Sequence, residues 1–342
     1  MSKVQNFSIT QTFTKDYSPV LSDRPISAPF LLDTLAQLAT PAPDKGLRGG
    51  KSVLLKRARS KYITNNITLK LADLDNARKK SYYNTFHCCR QMVQQGKKVT
   101  SKYCNNRWCL TCNRIRTAKL VNGYMKPLLQ EMEDKYFVTL TIPNVPAEML
   151  SETLDTMHST FRAIMKTFEK QEKRSVGIKK RLVGIRKLET TFNPAAGTFH
   201  PHYHNVVEGK ETAEALVDEW LKRYPDANRA AQNVKPADAG SVMELFKYFT
   251  KIATNKVVHI QALDTIIAAM RGRRVFQAMG IKKNVSEDIE ELRSQIYADL
   301  EEREAFWTWI EGGSDWVDGS TGEMLTGYVP SANVIRITEN TC

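Results

Sequence analysis

The chain has 342 residues, 42% of them hydrophobic, which is enough for one large domain or two modest ones around a substantial core. Fifty Lys and Arg against 37 Asp and Glu give a formal charge of +13 and a pI near 9.4, a field that attracts polyanions and releases counterions from phosphates. No run of eighteen apolar residues exists and the N-terminus lacks the apolar core of a signal peptide, so the sequence excludes a membrane partner and predicts a cytoplasmic protein. Six cysteines in such a compartment are metal ligands or buried thiols, not disulfides.

In chain order, residues 1 to about 50 show no sustained period, hold Pro41 and Pro43 and end in Gly49-Gly50, the pattern of a flexible extension. Short basic helices are predicted over 51–61 and 69–83, completing an N-terminal region of residues 1–80. A cysteine-rich module follows over 81–125, with a helix predicted at 114–133. Residues 136–142 are β-branched and aromatic, a strand stopped by Pro143-Asn144. Met149, Leu154, Met157, Phe161, Ile164 and Phe168 recur at helical spacing and predict a long amphipathic helix over 147–174. Strands at 181–192 and 198–207 flank a turn at 193–197. Helices are then predicted at 211–224, 241–253 and 263–279, the last carrying Arg271, Arg273 and Arg274. Together, residues 126–285 make the third and largest unit, after 1–80 and 81–125.

The C-terminal region, 286–342, opens with an acidic helix over 286–304, with Ser286 as N-cap and Ile289, Leu292, Ile296 and Leu300 on one stripe. That helix carries −6, so the rest of the chain carries +19. Trp307, Trp309 and Trp316 precede Asp318-Gly319, a hairpin signal. Strands joined by long helices predict an α+β fold, with an antiparallel sheet covered by helices on one face.

Three of only six histidines, His200, His202 and His204, alternate along one predicted strand. Period two puts all three imidazoles on one face, a ready metal site. Centring the turn between Ala195 and Ala196 sets Glu189 opposite His202, on the same face. Imidazoles with a carboxylate suit Mn²⁺ or Mg²⁺ with open water positions. Pro201 argues for a strand at an edge or beside a bulge.

Glu244, Tyr248 and Lys251 share one face of the helix at 241–253, while Leu245, Phe249 and Ile252 can pack on the sheet. A phenol is a poor nucleophile unaided; a metal on the phosphate and a nearby ammonium both help it, and Glu244 one turn away is placed to act as a base. Cys104-x4-Cys109-x2-Cys112, with Cys88 or Cys89 as the fourth thiolate, fits a structural Zn²⁺; His87 is a weaker donor. Arg107, Arg114 and Arg116 flank this cluster and suit phosphate contact.

Taken together, these residues resemble the plasmid rolling-circle replication initiators of the HUH endonuclease superfamily, in the single-tyrosine group of small Gram-positive plasmids. Phe137-Val-Thr-Leu-Thr141 with Asn144 is similar to the group's first motif, His200-Pro-His-Tyr-His204 to the second, and Glu244-x-x-Lys-Tyr248-x-x-Lys251 to the third. Cys104…Cys109-x2-Cys112 resembles the upstream zinc-binding stretch, and the motifs stand in the family's order over residues 88–280. Tyr203 stands where the family has a plain hydrophobe.

The resemblance implies a five-stranded antiparallel sheet and a catalytic Mn²⁺ or Mg²⁺ on His202 and His204, with His200 or Glu189 as third ligand. It also implies a structural Zn²⁺, Tyr248 as the nicking nucleophile, Glu244 activating water at termination and Lys251 offsetting charge. The implied reaction is a metal-dependent nick in single-stranded or hairpin origin DNA, through a 5′-phosphotyrosine and a free 3′-hydroxyl. Arg271, Arg273 and Arg274 join Arg107, Arg114 and Arg116 as DNA contacts, and a host helicase and polymerase are the implied protein partners. Two other readings fit parts of the pattern: an HUH transposase or mobilisation relaxase, and a non-catalytic zinc-dependent DNA-binding regulator.

Overall fold

The computed structural model describes residues 46–74, 76–95, 98–174, 181–246, 257–282 and 305–339. The predicted extension therefore lies mostly outside the described residues, as does the acidic helix. No helix among the described residues is long and apolar enough to cross a membrane.

The fold is α+β, with one five-stranded and one four-stranded antiparallel sheet. The larger sheet runs β6-β3-β5-β4-β7, built from β3 (Lys135–Thr141), β4 (Gly184–Asn193), β5 (Thr198–Glu208), β6 (Asn233–Pro236) and β7 (Phe276–Met279). β5 is central, paired with β3 on one side and β4 on the other. Gly184 lets β4 close on it, because a Cβ there would sit 2.1 Å from the Val206 carbonyl oxygen. Pro201 is tolerated because the β3 pairing ends at Thr141–His202 and resumes one residue out of step at the Val145–Phe199 bridge. That slip is a bulge, so of the two readings of Pro201 the bulge holds and the edge strand does not.

The helices are α1 (Gly46–Ala72), α2 (Lys79–Phe86), α3 (Leu110–Lys126), α4 (Ala147–Arg174), α5 (Lys210–Arg223), α6 (Ala239–Phe246), α7 (Ile260–Met270) and α8 (Ala332–Glu339). On one face of the large sheet Val138, Leu140, Leu188, Tyr203 and Val207 pack against the apolar stripes of α4, α5 and α7. The stripe predicted for α4 is buried there from Leu154 to Phe168, while Met149 faces solvent. Helices also cover the opposite face, contrary to the one-sided packing expected: Val242, Leu245 and Phe246 of α6 join residues of α3 over Phe137, Ile185 and Val206. A basic, buried residue sits inside the first face too. Arg186 lies 4.3 Å from the ring centres of both Phe161 and Tyr203, and burial pulls its pKa down.

Two helix predictions need correction. The two short basic helices at the N-terminus are one helix of 27 residues, α1, followed by the short α2; the intervening Tyr62–Thr68 stretch buries Ile63 and Ile67, and packing supplies what propensity does not. The helix predicted over 263–279 stops at Met270. Gly272, at φ +74°, turns the chain, and the β-prone residues after it become β7. Arg271, Arg273 and Arg274 thus sit on a turn, not on a helix face.

The small sheet runs β2-β1-β8-β9, with β1 (Gln91–Gln95), β2 (Lys98–Ser101), β8 (Ala305–Trp309) and β9 (Trp316–Asp318). Its registers join the cysteine-rich stretch to the tryptophan-rich one: Met92 pairs with Trp307 and Val93 with Phe306. The predicted hairpin after β9 is a turn in which the Asp318 carboxylate accepts from the backbone N–H of Ser320 and Thr321.

Candidate active site

The row of imidazoles forms on β5, and the pairing sets Glu189 opposite His202 and Lys187 opposite His204. Because a strand alternates faces, these four side chains share the face that α6 covers only in part. His202 Nε2 and His204 Nε2 approach to 3.1 Å, and Glu189 Oε2 lies 3.7 Å from His204 Nε2. All three donor atoms fall within 4.8 Å of one another. The other ring nitrogens are engaged: His202 Nδ1 contacts the His200 carbonyl oxygen at 3.0 Å, and His204 Nδ1 contacts Thr139 Oγ1 at 3.3 Å. The carbonyl beside His202 Nδ1 can only accept, which leaves His202 Nε2 as a lone-pair donor facing His204 Nε2, a pair of nitrogens that one cation can bridge. Adjacent positions of an octahedron with bonds of about 2.1 Å lie roughly 3 Å apart, so the donor set fits such an ion.

His200 is not part of this group. Its Nδ1 meets Asn144 Oδ1 at 2.8 Å, which draws the ring toward the loop after β3. Lys187, which the sequence reading passed over, places its ammonium 2.8 Å from Glu189 Oε2, with only 5% of its side chain exposed. The same period-two argument that found Glu189 would have found it, two residues earlier on the strand. Tyr248 and Lys251 lie outside the described residues, and so does the Glu244 side chain. The last described residue of α6 is Phe246, whose carbonyl oxygen accepts from Thr117 Oγ1 of α3.

The second cluster is made of sulfur. The Sγ atoms of Cys88, Cys104, Cys109 and Cys112 lie within 4.8 Å of one another. Cys89 turns away: its φ is +57° and its thiol meets Met92 Sδ at 3.3 Å. His87 likewise pairs elsewhere, with Arg90. Hydrogen bonds from Cys109, Cys112 and Cys88 hold the Cys104 thiol far below its ordinary range, and their counterpart pushes Cys88 and Cys112 up. Lys61, 1% exposed, sits close enough for the thiolates to counter the effect of its burial. Four thiolates with a buried cation beside them suit a divalent ion of Zn²⁺ type, whose complex with four thiolates is a dianion. Trp309 and Trp316 pack on this cluster from the C-terminal strands, and Trp316 Nε1 donates to the Cys89 carbonyl oxygen at 2.8 Å.

The arginines divide. Arg271 and Arg274 are exposed. Arg273 pairs with Asp155, Nε to Oδ1 at 2.7 Å, and Arg107 donates to the carbonyl oxygens of Met270 and Arg273. Arg116 donates to the Asn105 carbonyl oxygen at 2.9 Å. Burial, with Arg57 and Arg59 close by, lowers Arg114 to about 10.

The molecule is thus an α+β protein with a group of two histidines and one carboxylate on two paired antiparallel strands and, separately, a cluster of four cysteines. The family described as replication protein matches residues 95–212. Three curated proteins, each called Protein rep, are similar to the chain. One from Bacillus sp. is 31% identical over 229 residues, 55% of this chain and 71% of that one. One from Staphylococcus aureus is 29% identical over 119 residues, 34% and 49%. One from Streptococcus pneumoniae serotype 2 (strain D39 / NCTC 7466) is 22% identical over 208 residues, 54% and 62%. The chain therefore belongs to the family of plasmid replication (Rep) proteins. It spans about half of the Staphylococcus relative and 62% of the Streptococcus one. No solved structure matches.

Proposed function

We propose that the protein initiates plasmid replication by nicking origin DNA, with Tyr248 as nucleophile and a divalent cation on His202, His204 and Glu189. The observation that carries this reading is the pair of Nε2 atoms facing each other 3.1 Å apart, with Glu189 of the neighbouring strand beside them on the same sheet face. His202, His204 and Glu189 would hold a Mn²⁺ or Mg²⁺ ion, which would supply Lewis-acid polarisation of the scissile phosphate. Tyr248 Oη attacks phosphorus, the phosphorus–O3′ bond breaks, and the strand is left as a 5′-phosphotyrosine with a free 3′-hydroxyl for a polymerase. Glu244 takes the phenolic proton and, at termination, activates the water that releases the protein. Lys251 offsets charge on the phenolate or phosphate. Cys88, Cys104, Cys109 and Cys112 hold a structural Zn²⁺, and the basic surface holds the single-stranded or hairpin DNA.

The test is a denaturing gel with labelled single-stranded DNA and Mn²⁺. Wild type should yield a covalent adduct that survives denaturation, and Tyr248→Phe none; an adduct with Tyr248→Phe would refute the assignment. This reading supersedes that of a non-catalytic regulator if DNA is cut at all.

A further inference from the structure

Between α2, the loop that leads from Cys104 to Cys109, and the C-terminal end of α7 lies a cleft of about 290 Å³. It is far apart in sequence and closes only in the fold, bringing Arg107 and Arg271 to one place. Its apolar wall is Trp108, Ile267 and Met270; its polar wall is Asn105 and Asn106. None of the residues lining it is acidic. Arg78 in the wall already has its counter-ion in Asp264, and Arg107 bridges to the Met270 and Arg273 carbonyls, fixing the loop to the α7 terminus and hence the width of the cleft. The exposed Arg271 stands at the mouth, next to Gly272, around which there is open space. Asn105 holds φ +57°, a left-handed conformation that costs energy in most residues and that asparagine tolerates.

A mostly polar slot with one apolar wall, amide groups on the other side and a guanidinium at the entrance is chemistry that can recognise a heteroaromatic base joined to a phosphate. Small-molecule pockets begin at roughly 300 Å³, so the room is that of one nucleotide and too little for a dinucleotide cofactor. We propose that this cleft receives a single unstacked nucleotide of the DNA strand, base between Ile267 and Asn105, phosphate at Arg271. It is a second anchoring point, apart from the His202–His204 site, and it rests on the reading of the protein as one that binds single-stranded DNA. A base held this way does no chemistry: it fixes the register of the strand before the phosphate reaches the ion.

The test uses full-length protein and saturation-transfer NMR with each of the four deoxynucleoside 5′-monophosphates, and with deoxyribose 5-phosphate as the base-free control. Saturation should reach base protons, and the control should show none. Ile267→Trp, which fills the slot, should abolish the transfer, and Arg271→Glu should weaken binding about tenfold. An unlabelled single-stranded 24-mer should displace the mononucleotide. Absence of transfer in wild type, equal transfer with deoxyribose 5-phosphate, or survival of the signal in Ile267→Trp overturns the proposal. If Ile267→Trp does not fold, unchanged affinity in the exposed Arg271→Glu overturns it alone. Mononucleotide binding that the 24-mer cannot displace marks a free-nucleotide site and overturns the DNA assignment. The covalent-adduct gel is independent: no adduct in wild type, or an adduct with Tyr248→Phe, refutes the tyrosine reading, and intact displacement by the 24-mer then leaves the cleft standing.

Discussion

Glu189 pairs with Lys187 and would also serve the proposed ion, and the competition between the two has a sign that can be measured. Its Oε2 lies 2.8 Å from Lys187 Nζ and 3.7 Å from His204 Nε2, so an ion seated between the imidazoles must draw the carboxylate away from the ammonium. Replacing Glu189 with Gln removes the one formal charge in the ligand set. Contacts to charged groups contribute about 1.5–3 kcal/mol, so Glu189→Gln should weaken Mn²⁺ binding by roughly thirtyfold. Lys187→Met should do the reverse. The ion pair that has to be surrendered is worth about 1 kcal/mol, at the upper end for its kind because both side chains are largely covered, and a like charge beside the ion disappears as well. Binding should tighten five- to tenfold. His200→Ala should change it less than about threefold, since that ring is engaged by Asn144. The assay is a titration of stripped, zinc-loaded protein, with free Mn²⁺ read by electron paramagnetic resonance, so no DNA or turnover enters. The double variant Lys187→Met/Glu189→Gln should show strong non-additivity, because Lys187 acts through the carboxylate. Looser binding in Lys187→Met, or loss in His200→Ala with Glu189→Gln unaffected, would refute this account of the site.

Three further outcomes are expected. Cys88→Ser should lose stoichiometric zinc while Cys89→Ser keeps it, measured by metal analysis after dialysis, because only the Cys88 thiol faces Cys104, Cys109 and Cys112. Asp264→Ala should cost about 3 kcal/mol in urea unfolding, since Asp264 is buried and accepts from Arg78, Asn76 and Tyr82; the figure is discounted because Arg78 keeps some solvent. His158 is held below its ordinary pKa, first by burial and then by the Arg186 charge, with the Arg274 and Leu154 carbonyls partly opposing. Its neutral form is therefore the folded one, the unfolded chain binds the extra proton, and stability should fall as pH drops below about 6.5. His158→Gln should flatten the slope of melting temperature against pH between about 7 and 5 relative to wild type; an unchanged slope would exclude this residue as its origin.

Strong local patterns carried much of this structure into the sequence. Helix α4 is read to its residue limits, because a long amphipathic stripe needs only one apolar face to bury against. The β4–β5 register is read to the residue, because a short turn and a period of two leave one alignment that keeps Glu189 with His202. What could not be read depends on distant partners. Nothing local to 305–318 says that it completes the sheet begun at Gln91, a pairing across more than half the chain. Nothing local to Cys88 and Cys89 says which thiol faces the cluster; the left-handed turn at Cys89, set by the surrounding packing, decides it. The end of α7 at Met270 was lost to the apolar residues beyond it, which keep a helix-compatible pattern but pair with β4 instead.

The arrangement of the large sheet explains why the metal-type site lies where it does. Across the rows of the second face, Phe137, Val206 and Ile185 are roofed by α6 and α3, and the next rows toward the bulge carry Thr139, His204 and Lys187, then Thr141, His202 and Glu189. Apolar rows need a cover and polar rows need an opening, so the same strands that anchor α6 end in a ligand set beside its edge. Two consequences follow from one register. The two histidines stand on a central strand held by ladders on both sides, and Glu189 on the strand paired with it, which fixes all three more tightly than a loop could. And α6 is seated on the rows next to the ligand set through Val242, Leu245 and Phe246. A one-residue slip of β5 would turn His202 and His204 into the α4–α5 core and Tyr203 out of it, losing the site and the core together; the buried Tyr203, packed on Phe161 and Trp220, is thus what holds the histidines on the open face.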